Sequence, residues 1–204
     1  MDDLSVIVPV YNLERFITPL LETLKSQDVG EYRVNYVFVL NNCTDGSRKV
    51  IEQSGLECKI LNCEIQGCGI ARNVGFEASD SEYVWFIDGD DYLLSNDAIR
   101  DALDLIKAED ANIIRILFKS DRFGMNYYSM VWQYVMRRDF IQEFRFRKDM
   151  PAEDDDYMIK VLHKAGYDTV NYLFMPRTID ELYFYNYLRE GSNMYRFTHG
   201  EDLN

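Results

Sequence analysis

Between Leu4 and Ile87, short runs of β-prone apolar residues alternate with segments whose apolar residues recur at helical spacing, and few architectures accommodate that alternation. Leu4–Val10 reads as a first strand, with Pro9 near its end, where a missing N–H is tolerated. Phe16, Ile17, Leu20, Leu21 and Leu24 mark the helix that follows. Val34–Leu40 is a second strand running into the turn-rich Asn41–Gly46, after which Ser47 can cap a helix through Gln53. Cys58–Leu61 is a short third strand, and Ile70, Ala71, Val74, Gly75 and Ala78 form the inward stripe of a third helix. Tyr83–Ile87, five consecutive apolar residues, is a fourth strand that can be buried on both faces. Strands and helices at this spacing imply right-handed crossovers and an α/β fold: a mostly parallel central sheet flanked by helices.

Further on, Ile99, Leu103 and Ile106 suggest another helix and Asn112–Phe118 another strand. Met130–Met136 reads as an aromatic-rich strand and Leu182–Leu188 as a closing strand or an exposed aromatic surface. Neither an internal repeat nor a Gly/Ser-rich linker divides the 204 residues, so one domain is expected. Lys and Arg number 22 against 35 Asp and Glu, a formal charge of -13, which argues against a nucleic-acid partner or an anionic membrane surface. Cys43, Cys58, Cys63 and Cys68 lack a zinc-like spacing, so free thiols in a reducing cytoplasm are expected. His163 and His199 are isolated, and no apolar run approaches the roughly 20 residues that span a bilayer.

Parallel sheets bind ligands beyond the carboxyl ends of their strands. There the topology gathers Tyr11-Asn12, Asn41-Asn42 and Asp88-Gly89-Asp90-Asp91. Two carboxylates about 4 Å apart repel by roughly 4 kcal/mol at an effective dielectric of 20, so the acidic triplet calls for a cation, a shared proton or full hydration. Mg²⁺ or Mn²⁺ with a diphosphate is one reading. A solvated turn is the other, with Gly89 permitting the bend and Asp90 or Asp91 capping a later helix. A second acidic cluster, Glu153–Asp156, opens a helix with the stripe Met158, Val161, Leu162 and Ala165, ended by Gly166. The helix dipole accounts for acids there, but helical phase turns Asp154 inward with Met158 and Val161, and Asp156 roughly the opposite way. Asp154 is therefore either a candidate general base or a capping residue.

Six pieces in order resemble the inverting glycosyltransferase family 2 of the GT-A fold: Ser5–Asn12, Asn41–Asp45, Ala71–Asn73, Phe86–Asp91, Glu153-Asp154 and Leu188–Ser192. The resemblance implies a GT-A sheet with a smaller mixed acceptor-side region. Residues 1–95 would form the nucleotide-sugar-binding half and 96–204 the acceptor and catalytic-base half. It further implies that Pro9, Tyr11 and Asn12 line the nucleotide pocket, that Asp88 faces the donor, and that Asp88 and Asp90 hold Mn²⁺ or Mg²⁺, with Asp91 in support. Glu153-Asp154 resembles the catalytic-base pair. Arg72 would either oppose a phosphate or pair with the acidic cluster, and Arg189 and Ser192 would belong to a late loop over the donor phosphates or to an exposed turn. The implied partners are a nucleotide-sugar donor, by default a UDP-sugar, and a glycan or lipid-linked glycan acceptor in surface or exopolysaccharide synthesis. The implied place is the cytoplasm, with peripheral association at the inner membrane face or with a partner protein.

One departure is visible. Where the family commonly carries Asp-Asp, with the first often reading uracil, this chain has Asn41-Asn42. Asparagine keeps an acceptor but adds a donor and drops the charge. That motivates a second reading, a non-catalytic nucleotide-sugar-binding relative, although such a module has little use for an inward Asp154. A nucleotidyltransferase would want a glycine-rich basic loop after the first strand, and Tyr11–Glu14 is not one.

Overall fold

The computed structural model describes residues 2–120, 130–148, 150, 152–167 and 178–185, the side chains of 178–181 excepted. Its elements are β1 (Leu4–Val10), α1 (Thr18–Lys25), β2 (Val34–Asn41), α2 (Ser47–Gln53), β3 (Lys59–Cys63), α3 (Cys68–Glu77), β4 (Tyr83–Phe86), β5 (Tyr92–Leu93), α4 (Ala98–Ala108), β6 (Ile113–Ser120), β7 (Tyr134–Arg137), α5 (Arg138–Ile141), α6 (Glu153–Lys164) and β8 (Thr178–Tyr185). The strands form one sheet in the order β3-β2-β1-β4-β7-β6-β8-β5. The half from β3 to β4 is parallel throughout, as the strand–helix alternation requires. Beyond β4, β7 runs antiparallel to both its neighbours, β8 returns parallel to β6, and β5 closes the edge antiparallel.

Period-two alternation along the central strands sorts their side chains onto two helical layers. Val6, Val8 and Val10 of β1, Phe38 and Leu40 of β2 and Trp85 of β4 pack with α1 and α4 through Leu20, Leu24, Ile99 and Leu103. Ile7, Val37, Val39, Val84 and Phe86 face the other way, onto Ala71 and Phe76 of α3 and Met158 and Val161 of α6. The same alternation, at the last residue of β2 and two residues beyond β4, sends Asn41 and Asp88 toward the α3–α6 layer. All five side chains of Tyr83–Ile87 are buried. At about 1.5–3 kcal/mol for each large apolar side chain, this anchoring exceeds the few kcal/mol of repulsion in the acidic turn that follows.

Several local expectations change. The buried face of α3 runs through Ala71, Arg72, Gly75 and Phe76, while Ile70, Val74 and Ala78 are only partly buried. Gly75 sets this phase, because a methyl there would lie 2.3 Å from Ile7 Cγ2 and 3.2 Å from Val39 Cγ2, so α3 sits directly on β1 and β2. Gly75→Ala is expected to cost about 1–3 kcal/mol in denaturant unfolding. A variant as stable as the parent would show that α3 can back away from the sheet. Ser47 does not cap α2; it is the first helical residue, and Asp45 Oδ1 accepts from both its N–H (3.0 Å) and its hydroxyl (2.6 Å). The first half of Met130–Met136 is a 3₁₀ turn, Val131–Gln133, and only Tyr134 begins a strand. The closing strand starts earlier than expected, at Thr178, and buries Tyr183.

Candidate active site

The loops after β1 and β2 are tied to each other. Asn12 Oδ1 accepts from Thr44 N–H at 2.8 Å, Asp45 Oδ2 from Glu14 N–H at 2.9 Å, Glu14 Oε2 from Gly46 N–H at 3.0 Å, and Ser47 Oγ from Leu13 N–H at 2.8 Å. Asn12 and Asn42 both adopt the left-handed backbone conformation, with φ of 50° and 54°, which asparagine tolerates better than most residues. Pro9 is the next-to-last residue of β1, and Tyr11, just after the strand, is 53 % exposed. Thr44 and Asp45 belong to the Asn41–Asp45 piece but were given no role from the sequence, and Glu14, in the loop after β1, carried no signal for its pairing.

Asn41 is 3 % exposed and faces inward. Its Nδ2 donates to the carbonyls of Ile65 (2.6 Å) and Cys63 (3.3 Å), and its Oδ1 accepts from Gly67 N–H at 2.8 Å. The side chain thus fixes the loop between β3 and α3. An aspartate could not make the two donated bonds.

At the end of β4, Asp88–Asp91 form a tight turn closed by Asp91 N–H to Asp88 O at 3.2 Å. Gly89 is required by close approach rather than by the bend: a methyl there would meet Leu13 Cδ1 at 2.6 Å and the Pro9 carbonyl at 3.3 Å. Asp91 is buried and accepts from the Tyr183 hydroxyl, which itself accepts from Asp88 N–H at 3.3 Å. Asp91 therefore caps no helix. Burial first, then the charges of Asp91 and Asp88, push the Tyr183 phenol well above its usual range and keep it protonated.

Arg72 joins the two acidic clusters. Only 2 % exposed, it donates from Nη2 to Asp88 Oδ1 at 2.7 Å and from Nη1 to Asp154 Oδ1 at 2.6 Å, with Glu153 Oε1 3.7 Å away. Of the two roles open to Arg72, pairing with the acidic cluster is the one seen. Its guanidinium lies 5.4 Å from the centre of the Phe146 ring, which stacks on Tyr157. Asn73, the next residue, holds that segment by a reciprocal pair with the Phe146 backbone, at 2.8 and 3.0 Å. Burial would drive the Arg72 guanidinium down, but Asp154 and the other acids outweigh it and hold the charge in place.

Asp154 does turn inward, its side chain 14 % exposed. Its second oxygen accepts from Val131 N–H at 3.2 Å. Burial raises its pKa most, Arg72 opposes the rise, and Asp88 and Glu153 add to it, leaving the carboxyl at about 7. Asp156 does not escape to solvent as its phase suggested, because Lys160 covers it at 2.6 Å. Ala152, just before α6, holds a left-handed conformation with φ of 55°, a strained setting for a residue with a β-carbon. Arg189 and Ser192 lie outside the described residues.

The donor set suits a hard divalent ion. Asp88 and Asp90 offer carboxylate oxygens at a partly exposed strand end, with Asp88 25 % accessible. Among the described residues, no group of three or more His, Cys, Asp and Glu side chains is arranged to hold an ion by protein alone. A metal at this turn would take its remaining ligands from substrate and water. All four cysteines are free thiols, and among the described residues no helix is long and apolar enough to cross a membrane.

A parallel sheet ending in an acidic turn, with an inward carboxylate from a later helix beside it, is the arrangement of a GT-A glycosyltransferase. The sequence model of glycosyl transferase family 2 matches residues 5–171, and the chain belongs to that family. It is 34 % identical over 119 residues to the poly(ribitol-phosphate) beta-N-acetylglucosaminyltransferase TarS of Staphylococcus aureus, a match covering 56 % of this chain and 21 % of TarS. It is 25 % identical over 186 residues to the uncharacterized glycosyltransferase EpsJ of Bacillus subtilis, covering 72 % of this chain and 54 % of EpsJ. The structure of S. aureus TarS 1–349 in complex with UDP-GlcNAc superposes with a TM-score of 0.76 at 25 % identity, over 95 % of this chain and 60 % of that one. The mannosyltransferase PcManGT of Pyrobaculum calidifontis, solved with GDP-Man and Mn²⁺, shares the fold with a TM-score of 0.74 at 16 % identity, over 98 % of this chain and 63 % of that one. The chain thus spans between about a fifth and two thirds of the length of these relatives.

Proposed function

We propose that the protein is an inverting, metal-dependent glycosyltransferase that moves a sugar from a nucleotide diphosphate, by default UDP, to a glycan or lipid-linked glycan acceptor in cell-surface polymer synthesis. The observation that carries this reading is the meeting of Asp88 and Asp154 at one guanidinium, from segments far apart in the chain. Residues 1–95 supply the donor side and 96–204 the base. Relatives that make teichoic acid or carry UDP-GlcNAc support the class of donor and of product. We place the enzyme in the cytoplasm, where nucleotide sugars are made.

Pro9, Tyr11 and Asn12 line the nucleotide side, with the exposed Tyr11 ring offered to a base. Asp88 and Asp90 would hold Mn²⁺ or Mg²⁺, and the ion would supply Lewis-acid stabilisation of the leaving diphosphate. Asp154 takes the proton of the acceptor hydroxyl as that oxygen attacks the anomeric carbon from the face opposite the nucleotide, so configuration inverts. Glu153 adds negative charge beside it and keeps Arg72 engaged. Arg72 orients Asp154 and Asp88 together.

The test is a turnover assay with UDP- and GDP-sugars, with and without Mn²⁺ or Mg²⁺. Metal-dependent transfer, or slow donor hydrolysis in the absence of acceptor, is expected. Nucleotide binding with no turnover on any suitable acceptor would instead favour a non-catalytic relative.

Asn41 serves the donor through the loop it holds rather than by reading the base itself. Asn41→Asp would set a buried carboxylate against two carbonyls, at a cost of about 3 kcal/mol, and weaken UDP binding. Thermal melts and calorimetry decide this: a stable Asn41→Asp protein that binds UDP at least as well as the parent would make Asn41 a direct base reader.

A further inference from the structure

Tyr183 lies on β8, beyond the residues matched by the family, yet its hydroxyl reaches the acidic turn at the end of β4. The ring is fully buried and stacks on Trp132, with centroids 4.6 Å apart and planes 6° apart. Trp132 is in turn pinned by its carbonyl, which accepts from Trp85 Nε1 at 2.7 Å, so the phenol has little freedom to swing. Its oxygen accepts from Asp88 N–H and donates to Asp91 Oδ2, spanning the turn from its first residue to its last. Val131, the neighbour of Trp132, gives its N–H to Asp154. One 3₁₀ turn therefore braces the donor-side acids through Tyr183 and the base directly.

We propose that Tyr183 is a positioning residue for donor binding: its hydroxyl fixes the Asp88–Asp91 turn so that the Asp88 and Asp90 carboxylates point together toward the metal-bound diphosphate. The inference rests on the glycosyltransferase reading above and extends it to β8. A group that orients metal-binding carboxylates is read out through the metal. Removing it leaves the fold and the base pocket in place but lets the ligands drift, which typically lowers metal affinity by roughly ten- to a hundredfold. Phenylalanine keeps the stack on Trp132 and deletes only the hydroxyl.

The experiment is calorimetry with UDP, with and without Mn²⁺, on the parent, Tyr183→Phe, Asp91→Ala and the double variant, alongside thermal melts. Tyr183→Phe is expected to bind UDP in the presence of Mn²⁺ about tenfold or more weakly than the parent, while binding of UDP alone changes little. The double variant is expected to lose little beyond either single one, because both cut the same contact. Should Tyr183→Phe fail to fold, Asp91→Ala, which has no side-chain acceptor, reads that contact from its other end, and parental Mn²⁺-dependent binding there overturns the proposal. Equal losses with and without Mn²⁺, or Mn²⁺-dependent binding unchanged in Tyr183→Phe, overturn it as well. A parent that binds UDP without any metal dependence removes the metal reading itself, a result distinct from a Tyr183→Phe protein that merely matches a metal-dependent parent.

Discussion

Asp154→Asn is expected to lower sugar transfer by about 10²–10⁴-fold while nucleotide binding stays near that of the parent. The amide is nearly isosteric with the carboxylate but cannot take a proton. Its oxygen can still accept from Arg72, now at Asp154 Oδ1, while its NH₂ must face the Val131 N–H, two donors opposed, so a modest loss of stability accompanies the loss of rate. The pH dependence follows from the direction of the shift. Burial raises Asp154 to about 7, so the base is increasingly protonated as pH falls through neutrality, and kcat/KM should fall with it. The same shift has a sign for stability: the folded protein holds a proton that the unfolded chain has already released, so this contribution is full at acid pH and is lost as pH rises toward 7. A pH–rate profile for parent and variant decides the matter. Full activity in Asp154→Asn, or a parental acid limb that persists there, would remove Asp154 from the role of base.

Arg72→Met should be the most damaging substitution for stability. It leaves Asp88, Glu153 and Asp154 crowded together with no cation among them, and removing one partner of a buried pair typically costs about 3–5 kcal/mol. Methionine restores much of the packing on Phe146, so the deficit reads the charge rather than a cavity. Because the acids neutralise on protonation, the deficit should shrink as pH is lowered. Asp154 would also lose the group that most opposes its upward shift, moving any remaining activity to higher pH. Arg72→Lys should fall between, since a single ammonium cannot aim separate N–H groups at Asp88 and Asp154 as the two Nη atoms do. Urea unfolding across a range of pH measures all of this, and parental stability in Arg72→Met would show that the acids find other partners.

Much of the site was legible because it depends on periodicity. Alternation placed Asp88 at the carboxyl end of a doubly buried strand, and helical phase turned Asp154 inward; both signals are local, and both survive folding. The α3 stripe was misread by about one position because Arg72 counts as polar in any pattern, although Gly75 and Phe76 lie three and four residues further along the same face. What buries the arginine is the pair of acids at 2.6 and 2.7 Å, and neither is near it in sequence. What Asn41 holds was not legible, because its partners, Ile65 and Gly67, are brought to it only by β3. Tyr183 gave no signal at all, being one aromatic residue in an aromatic-rich stretch until β8 carries it beneath the acidic turn.

The sequence alone determined the parallel half of the sheet, the edge at which its polar clusters gather and the inward turn of Asp154, since these follow from spacing of two and of 3.6 residues along the chain. The tertiary structure decided which charges neutralise which, what Asn41 holds and which residue braces Asp91. Those outcomes depend on contacts between distant segments, where a burial cost is met or left unmet only by whatever the fold brings alongside.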